Sequence, residues 1–200
     1  AISGWALFAL LGVVLGSLYF GMIARATANP AERFNLSRLV WETLQIIGMI
    51  FLFLAVLLLL SIPFGVMIAL FQLVSPGLSR IGMLLGVFML LWILIPLVFT
   101  PHGIFASGKN AFRAMLISGR LVRALFPGVG LFLLSAVIMA QGMGLLWHMA
   151  PDDSWLMLAG IFGNAFIGTG LLAASFVYYR GAAAWAMNAR KETPNIRIQV

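Results

Sequence analysis

Apolar residues in this 200-residue chain fall in long unbroken runs, without the short alternating groups of a water-soluble fold. Ile46 to Leu60 and Ile81 to Phe99 contain no ionised residue. They approach or reach the ~20 residues that a helix needs to cross the hydrocarbon core of a bilayer. The pattern predicts five spans, at about 1–23, 46–73, 80–99, 127–147 and 155–179. The expected fold is all-α, a polytopic transmembrane helix bundle forming one domain over 1–200.

The segments between the runs have distinct characters. Arg25 to Arg38 is a polar connector containing Asn29-Pro30, a dipeptide that disfavours helix. Leu39 to Val74 reads as one helical stretch too long for a single perpendicular crossing, so Leu36 to Gln45 is expected to be interfacial and the span beyond it kinked by Pro63. Ser75-Pro76-Gly77 is expected to form a tight turn and Thr100-Pro101 to end the third span. Ser107 to Ala124 is a different object, a basic amphipathic helix. At about 100° per residue, Lys109, Arg113, Arg120 and Arg123 share one arc, with Ile117, Leu121, Val122 and Leu125 on the other side and Leu116 among the cations. Such a helix should lie in the headgroup plane with its cations on lipid phosphates. The tail from Arg180 reads as polar and mixed.

Composition strengthens the membrane reading. Charged residues make up 8% of the chain and hydrophobic residues 63%, against about 25% charged in an ordinary soluble domain. The mean hydropathy is +1.10. The absence of cysteine removes disulfides, thiolate metal sites and cysteine nucleophiles. A net charge of +7 could point to nucleic acid, but the basic residues are dispersed beside hydrophobic spans and not gathered on a soluble face. Membrane lipids are therefore the expected counter-charge, with no nucleic-acid partner.

Charge also sets the orientation. The stretches Arg25 to Arg38, Lys109 to Arg123 and Arg180 to Arg197 hold eleven of the twelve basic residues, leaving Arg80 opposite. Five alternating spans place these three stretches on one side, which the positive-inside rule makes cytoplasmic, with Asp152 and Asp153 outside. The expected location is the cell inner membrane. Trp147, Trp155, Tyr178 and Tyr179 fall at span ends, as an aromatic belt requires. The first span has no basic segment before it and does not read as a signal peptide. It opens without Met inside an apolar run, so residues before Ala1 are expected, with room for a further helix among them.

Candidate chemistry is sparse. His102 and His148 are the two histidines, and the topology puts them near opposite faces, so they cannot share a metal ion. Each reads first as an interfacial polar residue, and secondarily as an axial ligand for haem or a chlorophyll-type pigment, which needs a single imidazole. Asp152 and Asp153 are adjacent and point apart, which suits a solvated loop better than paired-carboxylate hydrolysis. Arg38 and Glu42 have the spacing of a surface helix pair. Among the spans the polar residues are Gln45, Gln72, Gln141 and Asn164, with no ionisable group at mid-span, which argues against proton-coupled transport. Asn164, flanked by Gly160 and Gly168, reads as an interhelical hydrogen bond beside a close backbone contact, and the pairs Gly12/Gly16 and Gly82/Gly86 as helix-packing motifs. No P-loop, dinucleotide fingerprint or assembling Ser-His-Asp set is present.

The stretch Gly108-Lys109-Asn110-Ala111-Phe112-Arg113-Ala114-Met115-Leu116-Ile117-Ser118-Gly119-Arg120-Leu121-Val122-Arg123, followed by a hydrophobic span and Tyr178-Tyr179-Arg180-Gly181, resembles a family of six-helix bacterial membrane proteins. That family is related to the membrane domain attached to some glycerophosphodiester phosphodiesterases. The resemblance implies a helix before Ala1 and cytoplasmic termini, and carries over no catalytic residue. The function expected is a non-catalytic membrane subunit or scaffold bound to other membrane proteins, such as a respiratory or photosynthetic assembly. The alternative is a transporter or lipid-handling protein whose cavity is lined near Pro63, Gln72 and Asn164.

Overall fold

A computed structural model describes residues 2–28, 35–148 and 154–192, and among them every regular element is helical. The helices are α1 (Ile2–Ala28), α2 (Leu36–Val74), α3 (Pro76–Leu94), α4 (Thr100–Ser107), α5 (Ala111–Ala124), α6 (Phe126–His148) and α7 (Trp155–Glu192). Among the described residues five stretches are long and apolar enough to cross a membrane: Leu7–Ala28, Leu36–Val74, Pro76–Ser107, Phe126–Trp147 and Trp155–Asn188. The expected all-α class and span number are what the chain forms. Its packing gathers into two compact units, Ala1–Tyr19 with Phe34–Arg120, and Phe20–Arg33 with Leu121–Val200.

Helix boundaries follow local chemistry. Asn35 caps α2 by accepting the Arg38 amide on its side chain at 3.3 Å. The expected division at Gln45 is not a break in the backbone, because α2 runs unbroken for 39 residues. Its first turns are tied by Arg38 Nε donating to Glu42 at 2.9 Å and by Thr43 Oγ1 donating to the Leu39 carbonyl at 2.9 Å. At 1.5 Å per residue α2 is about 58 Å long, nearly twice a ~30 Å hydrocarbon core. Pro63 sits within this helix without ending it, as bilayer helices tolerate.

The expected three-residue turn contracts to Ser75 alone. Its extended backbone donates N–H to the Phe71 carbonyl at 2.9 Å, closing α2, while its Oγ accepts the Leu78 amide at 3.1 Å, opening α3. Pro76 is absorbed as the first residue of α3, where a missing amide hydrogen costs nothing.

Two further boundaries differ from expectation. Thr100-Pro101 does not simply end the third span; α3 gives way to a 3-10 turn at Ile95–Leu97, and Thr100-Pro101 then starts the buried helix α4. Gly108, at φ 59°, ends α4 in the left-handed conformation that glycine adopts without a Cβ penalty, which delays the basic helix to Ala111. At the other end of the chain α7 continues past Tyr179 to Glu192, because Ala182 to Ala186 is rich in the strongest helix former.

Burial is inverted relative to a water-soluble protein. Large apolar side chains along the spans face outward, such as Leu59 at 72% and Phe166 at 77% exposure, whereas Glu42, Ser79, Thr100, His102 and Ser118 are buried. Lipid is the solvent that favours this arrangement, since it rewards outward hydrocarbon and penalises unbonded polar groups.

Candidate functional site

The break at the end of α3 leaves backbone groups open. Pro96 lacks an amide hydrogen and the 3-10 turn loosens the helical ladder, so backbone groups here need partners from elsewhere. Ser118 of α5 supplies two: its Oγ donates to the Pro96 carbonyl at 2.6 Å and accepts the Phe99 amide at 3.1 Å. Gln45 of α2 accepts the Ala111 amide on Oε1 at 2.8 Å and so caps the first turn of α5. Neither role is visible in sequence, where Ser118 and Gln45 are isolated polar residues on helices.

His102 lies inside this packing. Its ring meets Phe99 edge-on, with centroids 5.4 Å apart, and is buried. Axial ligation, the second reading of this histidine, would need the ring to face an open volume, whereas it is 6% exposed. His148 is the last residue of α6, and its side chain lies outside the described residues, as do Asp152 and Asp153. Among the described residues no group of three or more His, Asp or Glu could hold a metal ion. The Arg38–Glu42 pair forms as spaced, but it is not a surface pair: Glu42 is 1% exposed.

On α5, Arg113, Arg120 and Arg123 are exposed, while Ala114, Ser118, Leu121 and Val122 are buried; Lys109, expected on the same helix, lies two residues before its start and is half-buried. Phe112 and Leu116 share the outward side with the cations.

The glycines divide into two groups. A Cβ on Gly82 would stand 3.0 Å from the Phe71 ring, and one on Gly86 would fall within the Phe64 ring. Gly160 and Gly163 seat the Trp147 side chain, with a Cβ at 3.3 Å and 2.5 Å respectively. Gly163 carries no signal in the sequence, because its i,i+3 spacing from Gly160 is not the four-residue motif. Gly12, Gly16 and Gly168 instead face open space. Asn164 is exposed, with no hydrogen bond among the described residues, and Gln72 and Gln141 are exposed too.

The geometric reason lies in helix pitch. Residues four apart advance by about 40°, so a line starting at Gly160 under Trp147 winds away from α6 and reaches the outside by Asn164 and Gly168.

These helices are those of a multi-pass membrane protein. Comparison of the chain with protein-family models, with curated proteins and with solved structures finds no match.

Proposed function

We propose that this protein is a non-catalytic membrane subunit or scaffold that associates with another membrane protein through the outward face of α7. The observation that carries the reading is Asn164. It stands nine residues into α7, about 14 Å along the axis, near the middle of a ~30 Å hydrocarbon core, and it is exposed. A carboxamide facing lipid there is unsatisfied, and a neighbouring transmembrane helix would bond it. Gly168, one turn on, has no side chain against it and lets that helix approach closely.

A non-catalytic role is supported by the scarcity of reactive groups: two histidines, five acidic residues and no cysteine. Placement in a cytoplasmic membrane with the basic stretches inside is supported by the eleven-to-one division of Lys and Arg. Gln72 and Pro63 are exposed and offer no support for a cavity-lining, transporter-like role.

The test uses the absence of native cysteine. Asn164→Cys and Gly168→Cys should form cross-links to a co-purifying membrane protein in native membranes. Asn164→Leu should weaken co-purification by about threefold to twentyfold, the range of interhelical hydrogen bonds in membranes. A monodisperse monomer in mild detergent, with nothing co-purifying and no cross-link, overturns the proposal.

A further inference from the structure

Helix α5 has two chemically different sides, and its own protein takes up the less polar one. Ala114 and Ser118 are buried, Ser118 bonds Pro96 and Phe99, and Gln45 holds the amide of Ala111. On the other side Phe112 is 67% and Leu116 47% exposed, with Arg113 and Arg120 exposed beside them and Lys109 half-buried. At 100° per residue the four of these on the helix, Phe112, Arg113, Leu116 and Arg120, fall within an arc of about 100°, and Lys109 precedes the helix by two residues. An amphipathic helix that binds lipid alone sinks its apolar side among the acyl chains. Here that side is committed to protein, and apolar residues remain outside, interleaved with cations.

Position in the chain says what this face meets. The stretch Pro76–Ser107 ends four residues before α5, and Phe126–Trp147 begins two residues after it. A helix held between two spans lies at the bilayer surface. No Asp or Glu occurs between Glu42 and Asp152, and Glu42 is buried and bonded to Arg38. The cations therefore lack nearby carboxylates in sequence, while Phe112 and Leu116 require surroundings that admit apolar groups.

The geometry points to this face as a binding surface for anionic phospholipid, with Lys109, Arg113 and Arg120 on headgroup phosphates and Phe112 and Leu116 inserted between headgroups. Water alone would not favour the two apolar side chains, and net negative charge distinguishes the anionic lipid from a zwitterionic one. The surface is separate from the α7 face and does not depend on a protein partner.

The experiment labels Leu116→Cys in the full chain with a fluorophore and reconstitutes it in phosphatidylcholine vesicles containing a minor fraction of brominated phosphatidylglycerol or, separately, brominated phosphatidylcholine. Quenching by brominated phosphatidylglycerol should exceed quenching by brominated phosphatidylcholine, and the excess should shrink as salt is raised. In the Lys109→Gln, Arg113→Gln, Arg120→Gln background the preference should fall by about a hundredfold at most, roughly fivefold per cation. The salt titration reads the same preference in a chain whose cations are intact, so misfolding of the triple variant leaves the test decisive. Equal quenching by both lipids overturns the anionic preference. Absence of quenching by either shows the face covered by protein or facing water, and overturns the proposal outright.

Discussion

The α2–α3 and α6–α7 hairpins both seat aromatic rings on glycine, yet they set their register in different ways. In α2–α3, Phe71 packs on Gly82 and Phe64 on Gly86, two rungs on successive turns beyond a joint made by Ser75 alone. In α6–α7 the contacts sit toward the two ends. Trp147 lies over Gly160 and Gly163, while far along the helices Tyr178 stacks on Phe132 at 4.5 Å and its hydroxyl approaches Gly128. A one-residue joint leaves little choice of register, so the rings of the first hairpin fill a geometry the turn already imposes. The connection in the second is longer, and the end clamps have to select the register themselves.

This contrast can be broken experimentally. The largest effect should come from Trp147→Ala, which removes one clamp of the second hairpin. A loss of about 2 to 3 kcal/mol is expected, below the ~3–5 kcal/mol of a fully buried aromatic because the ring is half-buried. Unfolding in mixed micelles measures it, and a loss as small as that of a surface substitution would show that the connection holds the register after all. Gly86→Ala should destabilise by about 1 to 3 kcal/mol through overpacking against Phe64. Adding Phe64→Leu should restore part of that loss, and no recovery would mean that the ring is not what excludes a side chain at Gly86.

Ser75→Ala sharpens the comparison from the side of the turn. It removes the acceptor for the Leu78 amide but keeps the backbone bond to Phe71, so a loss of about 1 kcal/mol is expected in the same assay. The smallest effect should follow Gly12→Ala or Gly16→Ala, within about 0.5 kcal/mol for the isolated chain, because both positions face open space. A larger loss in native membranes than in micelles would reveal a neighbouring helix on α1.

The spans were legible because lipid selects for something composition records directly, an apolar run of sufficient length. Turn chemistry was less legible. Proline reads as a breaker, yet Pro76 and Pro101 begin helices, where the hydrogen they lack has no acceptor to serve. The extension of α7 beyond Tyr179 was hidden because a polar sequence is equally compatible with a helix leaving the membrane. Least legible were the bonds of Ser118 and Gln45, whose partners lie 19 to 66 residues away. A hydroxyl or carboxamide in sequence carries no sign of which distant backbone group lacks a partner. The arc of Arg113, Arg120 and Arg123 on α5 was readable from spacing alone, whereas Lys109 falls before the helix and the presence of Phe112 gained meaning only once the opposite side proved occupied.

The single-residue joint at Ser75 also bears on biogenesis. In the orientation proposed above, with the basic stretches inside, the turn between α2 and α3 has to be carried through the hydrocarbon while the chain is being made, and Arg80 is the costly passenger, at roughly 2.5 to 3.5 kcal/mol on insertion scales. With no loop to extend ahead, α2 and α3 cannot be threaded as independent segments separated by a wait. In that orientation the two helices are expected to enter together as a pair, the combined hydrophobicity of both offsetting the transfer of one guanidinium.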